Sequence, residues 1–186
     1  MVLATNIREL RTAATDYIET ERLKAQLRDL RTKRDPLFLT TDDLEPIFRW
    51  KLGNQYGRNK RQRDTNTDSA YQAITQTALS IKEPELAYEA KLRTAVLISL
   101  RGVGVPVASA ILALTDPEHY CVIDFRGWRA VFDEERRAFD IPAYIRYLGA
   151  IRELAEQLGW PVQETDLAVW EYDRRTSGRW TRQNTR

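Results

Sequence analysis

The stretch from Leu97 to Trp128 constrains the fold most, because two apolar helical patterns meet there at a short turn, Arg101-Gly102-Val103-Gly104. Before the turn, apolar residues recur at helical spacing, namely Leu86, Ala90, Leu97 and Leu100. After it, Pro106 suits the first turn of a helix. The apolar residues that follow predict a buried second helix: Val107, Ala108, Ala110, Ile111 and Leu114. The sequence therefore predicts a helix-to-helix hairpin.

The turn has the chemistry of an anion-binding loop. Gly102 and Gly104 carry no Cβ and can adopt positive φ, so the backbone N–H groups of the turn stay accessible. The start of the second helix adds its dipole to the same place. We expect the turn to hold a phosphate of a nucleic acid without reading its sequence, through Arg101, Gly102, Val103, Gly104 and Val105. A plain tight turn between packed helices is the alternative.

A longer pattern extends beyond the turn. Leu100-Arg101-Gly102-Val103-Gly104, then Ala110-Ile111-Leu112 and Val122-Ile123-Asp124, resembles the helix-hairpin-helix DNA glycosylase superfamily from about Leu92 to Phe132. Gly-Val-Gly-Val-Pro followed by Ala-Ser-Ala-Ile-Leu, with Trp50-Lys51 upstream, looks like a bacterial branch of it. The resemblance implies an all-α, two-lobed fold with the hairpin at the groove. It also implies excision of a flipped, modified base from double-stranded DNA.

Asp124 is the catalytic residue that the resemblance implies. Breaking an N-glycosidic bond builds positive charge on the sugar, and a fixed carboxylate can stabilise that charge and orient the attacking water. The apolar neighbours Ile123 and Phe125 predict partial burial, which strengthens the electrostatic effect of a carboxylate. The alternative role is the N-cap of a helix over residues 125–132, which Asp also performs well.

The chain departs from the family at one position. Relatives that also cut the strand carry a Lys two residues after the second hairpin glycine, where it forms a Schiff base with the sugar. Here that position is Pro106, so the resemblance implies a monofunctional enzyme that leaves an abasic site. Lys51 or Lys91 could supply an amine, but nothing in the sequence places either near Asp124.

Cations and aromatics upstream and downstream suggest how DNA would be held. Arg58, Lys60 and Arg61 form a basic loop after Trp50, and cations beside aromatics are typical of nucleic-acid grooves. We expect this loop and Arg126 to contact phosphates, although Arg126 can instead pair with a carboxylate. The expected base pocket consists of Trp50, Lys51, Tyr120, Trp128 and Tyr144. For Trp50 and Trp128, a place in the core is the alternative.

The rest of the chain is predicted to be helical. Residues 1–35 form one long helix, from about Asn6 to Lys33, packed on a domain of residues 36–186. Its narrow apolar stripe leaves a partner or dimer contact as an alternative, so the oligomeric state stays open. Further helices are predicted over residues 42–52, 67–80, 125–132, 141–158 and 163–174, with a short extended piece at 120–123. A basic tail follows, with Arg174, Arg175, Arg179, Arg182 and Arg186.

Composition adds limits rather than a function. A net charge of +2 permits nucleic-acid binding without demanding it. The single cysteine, Cys121, excludes an internal disulfide and a four-cysteine iron–sulfur cluster, and the only histidine, His119, lacks metal-ligand partners at suitable spacing. We expect no catalytic metal and no cofactor; the resemblance alone suggests a structural monovalent cation on the hairpin carbonyls.

No segment is predicted to span a membrane, so we expect a cytoplasmic, nucleoid-associated protein. A hairpin module that binds DNA without chemistry, and an interaction protein in which the glycines only form a turn, remain the alternatives to the glycosylase. The identity of the excised base, and whether it serves repair or defence against foreign DNA, stay open.

Overall fold

A computed structural model describes residues 2–183, and the side chains of residues 3–177. The described chain contains ten α-helices, two 3₁₀ turns at Arg8–Leu10 and Gly53–Gln55, and no strand. The helices are α1 (Val2–Ile7), α2 (Tyr17–Lys33), α3 (Thr41–Leu52), α4 (Lys60–Arg63), α5 (Asp68–Ser80), α6 (Leu86–Leu97), α7 (Val105–Thr115), α8 (Phe125–Phe132), α9 (Ile141–Leu158) and α10 (Val162–Gln183). The predicted all-α class is confirmed.

Helix α7 occupies the centre of the structure. Every residue from Val107 to Thr115 is buried, as is Val105, because α7 packs against α2, α3, α6 and α9. A helix that is apolar on all sides requires this kind of surrounding. Ala108, Ala110 and Ala113 are fully buried, and their small side chains allow neighbouring helices to approach α7 closely. The glycine loop (residues 98–104) joins α6 to this central helix.

The prediction of a single N-terminal helix is wrong, because the helix is interrupted between Ile7 and Tyr17. Two side chains of α10 form hydrogen bonds with backbone groups of the interrupting segment. Arg175 donates to the carbonyl oxygen of Ala13 at 2.9 Å, and Glu171 accepts from the Thr15 N–H at 3.4 Å. The break lets both parts of the apolar stripe turn inward. Its buried members are Ile7, Leu10, Ala14, Leu23 and Leu27. These five residues are covered within the protein, and the partner contact through the rest of the stripe stays an open alternative.

Most other predicted helices are present with small changes. Helices α8 and α9 have the predicted bounds, and α3 begins one residue earlier than predicted, with Thr40 and Asp43 forming a reciprocal capping box. The last helix is longer than predicted, since α10 continues to Gln183. In the predicted basic tail, Arg186 lies outside the described residues, and the side chains of Arg179 and Arg182 lie outside the described side chains. None of the described helices has the length and apolarity needed to cross a bilayer.

Candidate active site

The segment that leads into Asp124 is buried but forms no strand. The side chains of residues 120–123 are all buried, so their backbone polar groups need partners inside the protein. Side chains from four different helices provide them. Tyr144 of α9 donates to the Cys121 carbonyl (3.2 Å), Asp166 of α10 accepts from the Val122 N–H (2.8 Å), Ser109 of α7 accepts from the Ile123 N–H (3.1 Å), and Lys51 of α3 donates to the Ile123 carbonyl (3.1 Å). These bonds satisfy the backbone of the predicted short extended piece without strand pairing, and they fix the position of residue 124.

Asp124 is the N-cap of α8. Its Oδ1 accepts from the N–H groups of Arg126 and Gly127, both at 2.9 Å, so the capping alternative from the sequence is present in the structure. The side chain is partly exposed, and its Oδ2 accepts no hydrogen bond from the described part of the chain. One carboxylate oxygen therefore orients the group, while the other is available to a ligand.

A second carboxyl group lies behind Asp124. Asp166 is buried, and besides holding Val122 it accepts a hydrogen bond of 2.5 Å from the Tyr147 hydroxyl. Burial raises the pKa of Asp166 to about 7, against the lowering effect of the bonds from Tyr147 and Val122. The negative charge of Asp124 raises this pKa further, whereas Lys51 lowers it. Asp166 thus gains a proton far more easily than an exposed Asp.

The glycine loop leaves several backbone donors unbonded. Gly102 has φ +74°, where a Cβ is strained, and Gly104 is the N-cap of α7. Among the described residues, none accepts a hydrogen bond from the N–H of Gly102, Gly104 or Val105. Two of the five predicted donors are already used: the Arg101 N–H donates to Asn66 Oδ1 at 3.0 Å, and the Val103 N–H to the Leu100 carbonyl at 3.2 Å. The N–H groups of Gly102, Gly104 and Val105 remain free, and the last two lie at the start of α7.

Arg63 packs against this loop, a position that the sequence did not predict, because the basic run to which it belongs was expected to contact phosphates, with a solvated loop as the alternative. It is 3% exposed, and its guanidinium stacks on Phe48 and Tyr56. Its Nη2 donates to the Tyr56 carbonyl, but its Nη1 is buried without a hydrogen-bond partner. A Cβ added to Gly102 would lie 2.8 Å from Arg63 Cγ. Arg63 lines the cleft together with Gly102 and Gly104, so its positive charge beside their free N–H groups favours an anion at this corner.

Asp124, the two loop glycines and Arg63 line one cleft of about 760 Å³. Five predicted residues come together there, from four separate parts of the chain: Lys51, Arg58, Gly102, Gly104 and Asp124. The clustering of Lys51 with Asp124 could not be read from spacing, because 72 positions separate Lys51 from Ile123, whose carbonyl it binds.

The predicted aromatic pocket is wrong in most of its members. Tyr120, Trp128 and Tyr144 are fully buried in the core, so none of them presents a face to the cleft. The Tyr120 hydroxyl donates to Glu89 at 2.7 Å, while Trp128 packs on Phe132 and Phe139. Trp50 is partly buried against the core and does not line the cleft, which leaves Lys51 as the one predicted pocket residue found there.

The predicted phosphate contacts divide into two groups. Arg58 and Arg61 are exposed, and Arg58 lines the cleft. Lys60 is exposed but paired with Asp64 at 2.7 Å, which raises the pKa of Lys60. Arg126 pairs with Asp173 of α10 at 3.3 Å, so the carboxylate-pairing alternative is present in the structure, and its phosphate contact stays a prediction.

The sequence missed other residues of the cleft. These are Gln55, Asn59, Phe125, Arg137 and Phe139. Phe125 is 40% exposed, unusual for a large apolar side chain, and its position directly after Asp124 is the signal that could have identified it. Arg137 is exposed at the cleft wall, although its run of mixed charges predicted only a solvated turn. Asn66, which also donates to the Arg101 carbonyl at 2.9 Å, had no recognisable signal.

The monovalent cation suggested by the resemblance stays a prediction. The carbonyls of Leu100, Arg101 and Gly104 each accept a hydrogen bond, whereas those of Gly102 and Val103 accept none from the described part of the chain. In the described part of the chain, no three His, Cys, Asp or Glu side chains converge as metal ligands.

Comparisons of the chain with models of protein families, with curated proteins and with solved structures found no match.

Proposed function

We propose that the protein is a DNA N-glycosylase, which hydrolyses the bond between deoxyribose and a modified base flipped out of the duplex. The observation that carries the proposal is the shared cleft, which is lined both by Asp124 and by Gly102 and Gly104, whose N–H groups are unbonded in the described chain. The resemblance of residues 92–132 to helix-hairpin-helix glycosylases, with their two-lobed fold, agrees with this arrangement.

The glycine loop is suited to hold the DNA backbone. The free N–H groups of Gly104 and Val105 lie at the start of α7 and that of Gly102 lies in the loop just before it, so the helix dipole favours an anion at the same place. Arg63, Arg58 and Arg137 all line the cleft and add positive charge along it. A phosphate bound there would fix the strand without reading its sequence.

Asp124 then acts on the extruded nucleotide. As the base leaves, positive charge develops on the sugar, and the carboxylate stabilises it through Oδ2 while Oδ1 stays bonded to α8. The same oxygen can orient water toward C1′. Flipping costs a few kcal/mol and favours bases that are damaged or weakly paired. Phe125 and Phe139 are the aromatic side chains of the cleft on which such a base can stack.

The test compares the wild type with Asp124→Asn on duplexes that each carry one modified base: oxidised, alkylated, deaminated or hypermodified. Products are scored after hot alkali, which breaks every abasic site. We expect strand breaks at one class of lesion with the wild type, and a loss of at least a hundredfold in the rate with Asp124→Asn. Equal rates for the two proteins would reject Asp124 as the catalytic group.

A DNA-binding protein without chemistry is the second candidate, because capping α8 gives Asp124 a structural role on its own. This candidate predicts that no lesion is cut, while both proteins bind duplexes with an affinity that falls steeply with salt. Binding that is insensitive to salt, or absent, would reject both candidates.

A further inference from the structure

Lys51 is the only lysine among the described residues whose amine lies in the cleft with Asp124. Other lysines pair with carboxylates: Lys24 with Glu21, Lys33 with Asp29, and Lys60 with Asp64. The amine of Lys51 has a single hydrogen-bond partner in the described chain, the neutral carbonyl of Ile123 at 3.1 Å. None of the described carboxylates lies within 4 Å of this amine, so the amine can be released by breaking one hydrogen bond.

The position of this amine is set by the same segment that positions Asp124. Ile123 immediately precedes Asp124, and its N–H is fixed by Ser109. Lys51 belongs to the last turn of α3, which packs against α7, so the amine and the carboxylate belong to one rigid assembly. A sugar held beside Asp124 therefore lies in the same cleft as Lys51, whose amine is bonded to the residue just before Asp124.

We propose that Lys51 is a nucleophile that forms an imine with the abasic sugar and cleaves the strand. This rests on the proposed function, because removal of the base exposes an aldehyde carbon at C1′ when the sugar ring opens. The amine adds to that carbon, and loss of one water gives the imine. Lys51, on α3, supplies the amine that the hairpin lacks, because Pro106 occupies the position where nicking relatives carry a lysine.

The remaining steps balance without an oxidant or reductant. A base, for which the Asp124 carboxylate is available, removes a proton from C2′, and the C3′–O3′ bond breaks. The electron pair leaves with the 3′-phosphate, which becomes the 5′-phosphate of the downstream strand. Water then hydrolyses the imine, releasing an unsaturated aldehyde on the upstream strand and restoring the Lys51 amine.

The test uses the full-length protein and a duplex with one abasic site, made by removing a uracil. The duplex carries no target base, so the result is independent of which base the protein excises, or whether it excises one. Borohydride reduces an imine to a stable amine and so links protein to DNA. We expect the wild type to nick this duplex without alkali and to be trapped on it, with the adduct mapping to Lys51 by peptide mass spectrometry.

Lys51→Arg is the decisive variant, since arginine can still donate to the Ile123 carbonyl but does not form the imine. We expect it to lose nicking and trapping at least tenfold, with thermal unfolding close to that of the wild type. Lys91→Ala, which removes an exposed amine on α6, should change neither reaction. An adduct on another amine, trapping that persists in Lys51→Arg, or a wild type that neither nicks nor traps would overturn the assignment. None of these outcomes would decide the proposed function, because base excision is tested separately, with Asp124→Asn and with products scored after alkali.

Discussion

The Tyr147 hydroxyl packs against the backbone of Gly127 so closely that a Cβ built on Gly127 would overlap it. Tyr147 is fully buried and bonded to Asp166, so its ring cannot move aside. The Gly127 N–H in turn donates to Asp124 at 2.9 Å. Gly127 is therefore the position at which the core of α9 and α10 fixes the start of α8 and the orientation of the Asp124 carboxylate.

Gly127→Ala should destabilise the protein, because the added methyl group must displace a buried, hydrogen-bonded hydroxyl. We expect a loss of about 1–3 kcal/mol in the free energy of unfolding, measured in urea. Gly149→Ala is the matched control, since a Cβ at this exposed position of α9 meets nothing within 4 Å. Alanine is the better helix former, so this control should gain about 0.5–1 kcal/mol. Equal effects of the two substitutions would contradict the packing described.

Gly102→Ala and Gly104→Ala separate the strained glycine from the unstrained one. At Gly102 the φ of +74° and the contacts with Arg63 Cγ (2.8 Å) and the Asn59 carbonyl (3.0 Å) leave no room for a methyl group. We expect a loss of at least about 1 kcal/mol in stability and a clear loss of DNA affinity. At Gly104 the nearest atom is Pro106 Cδ at 3.8 Å, so stability should change by less than about 0.5 kcal/mol. Thermal unfolding and fluorescence anisotropy measure the two effects.

Substitutions of Asp124 should separate its capping role from its chemistry. Asparagine is as good an N-cap as aspartate, so Asp124→Asn should retain stability within about 0.5 kcal/mol while losing base excision. Asp124→Ala removes the acceptor for Arg126 and Gly127 and should cost about 1 kcal/mol. Urea unfolding of the three proteins provides the comparison, and an Asn variant as unstable as the Ala variant would argue against the cap.

The buried carboxyl of Asp166 should make stability depend on pH. Its pKa is about 7 in the folded protein, against 3.8 for an ordinary Asp. Because the folded state binds this proton more tightly, the stabilisation is fully present below pH 3.8 and is lost as the pH rises through 7. We expect the free energy of unfolding to fall between pH 5 and pH 8, by at most about 1.4 kcal/mol per pH unit.

Asp166→Asn is the control for this dependence, since its amide does not titrate and can still accept from the Val122 N–H. Urea unfolding of both proteins at pH 5, 6, 7 and 8 measures the difference. The stability of the variant should change less over this range. Parallel curves for the two proteins would mean that another group is responsible.

Cations of the cleft should set the salt dependence of DNA binding. Arg58→Gln and Arg137→Gln each remove one exposed charge from the cleft wall. Each should weaken binding to all duplexes alike and reduce the slope of log K against log salt by about 1. Lys91→Gln, outside the cleft, should leave the slope unchanged. Affinity titrations from 50 to 200 mM salt would show the difference, and a slope unchanged in all three variants would place the DNA elsewhere.

Much of the secondary structure followed from the sequence alone. The apolar run after Gly104 predicted the central helix α7, Asp124 marked the start of α8, and the helix over residues 141–158 was predicted with the bounds of α9, because local capping and periodicity act over one or two turns. The N-terminal break was missed because the partners of its backbone, Glu171 and Arg175, lie more than 150 positions away.

For the candidate site, the sequence determined the glycine loop and Asp124, since backbone access and a carboxylate beside apolar residues are local properties. Only the tertiary structure decided which side chains share their cleft. It moved Tyr120, Trp128 and Tyr144 into the core and brought Lys51 to the Ile123 carbonyl. Burying an aromatic ring is favourable both in the core and in a binding pocket, so the residue type alone does not show which of the two places the ring occupies. Packing of the helices around α7 makes that choice.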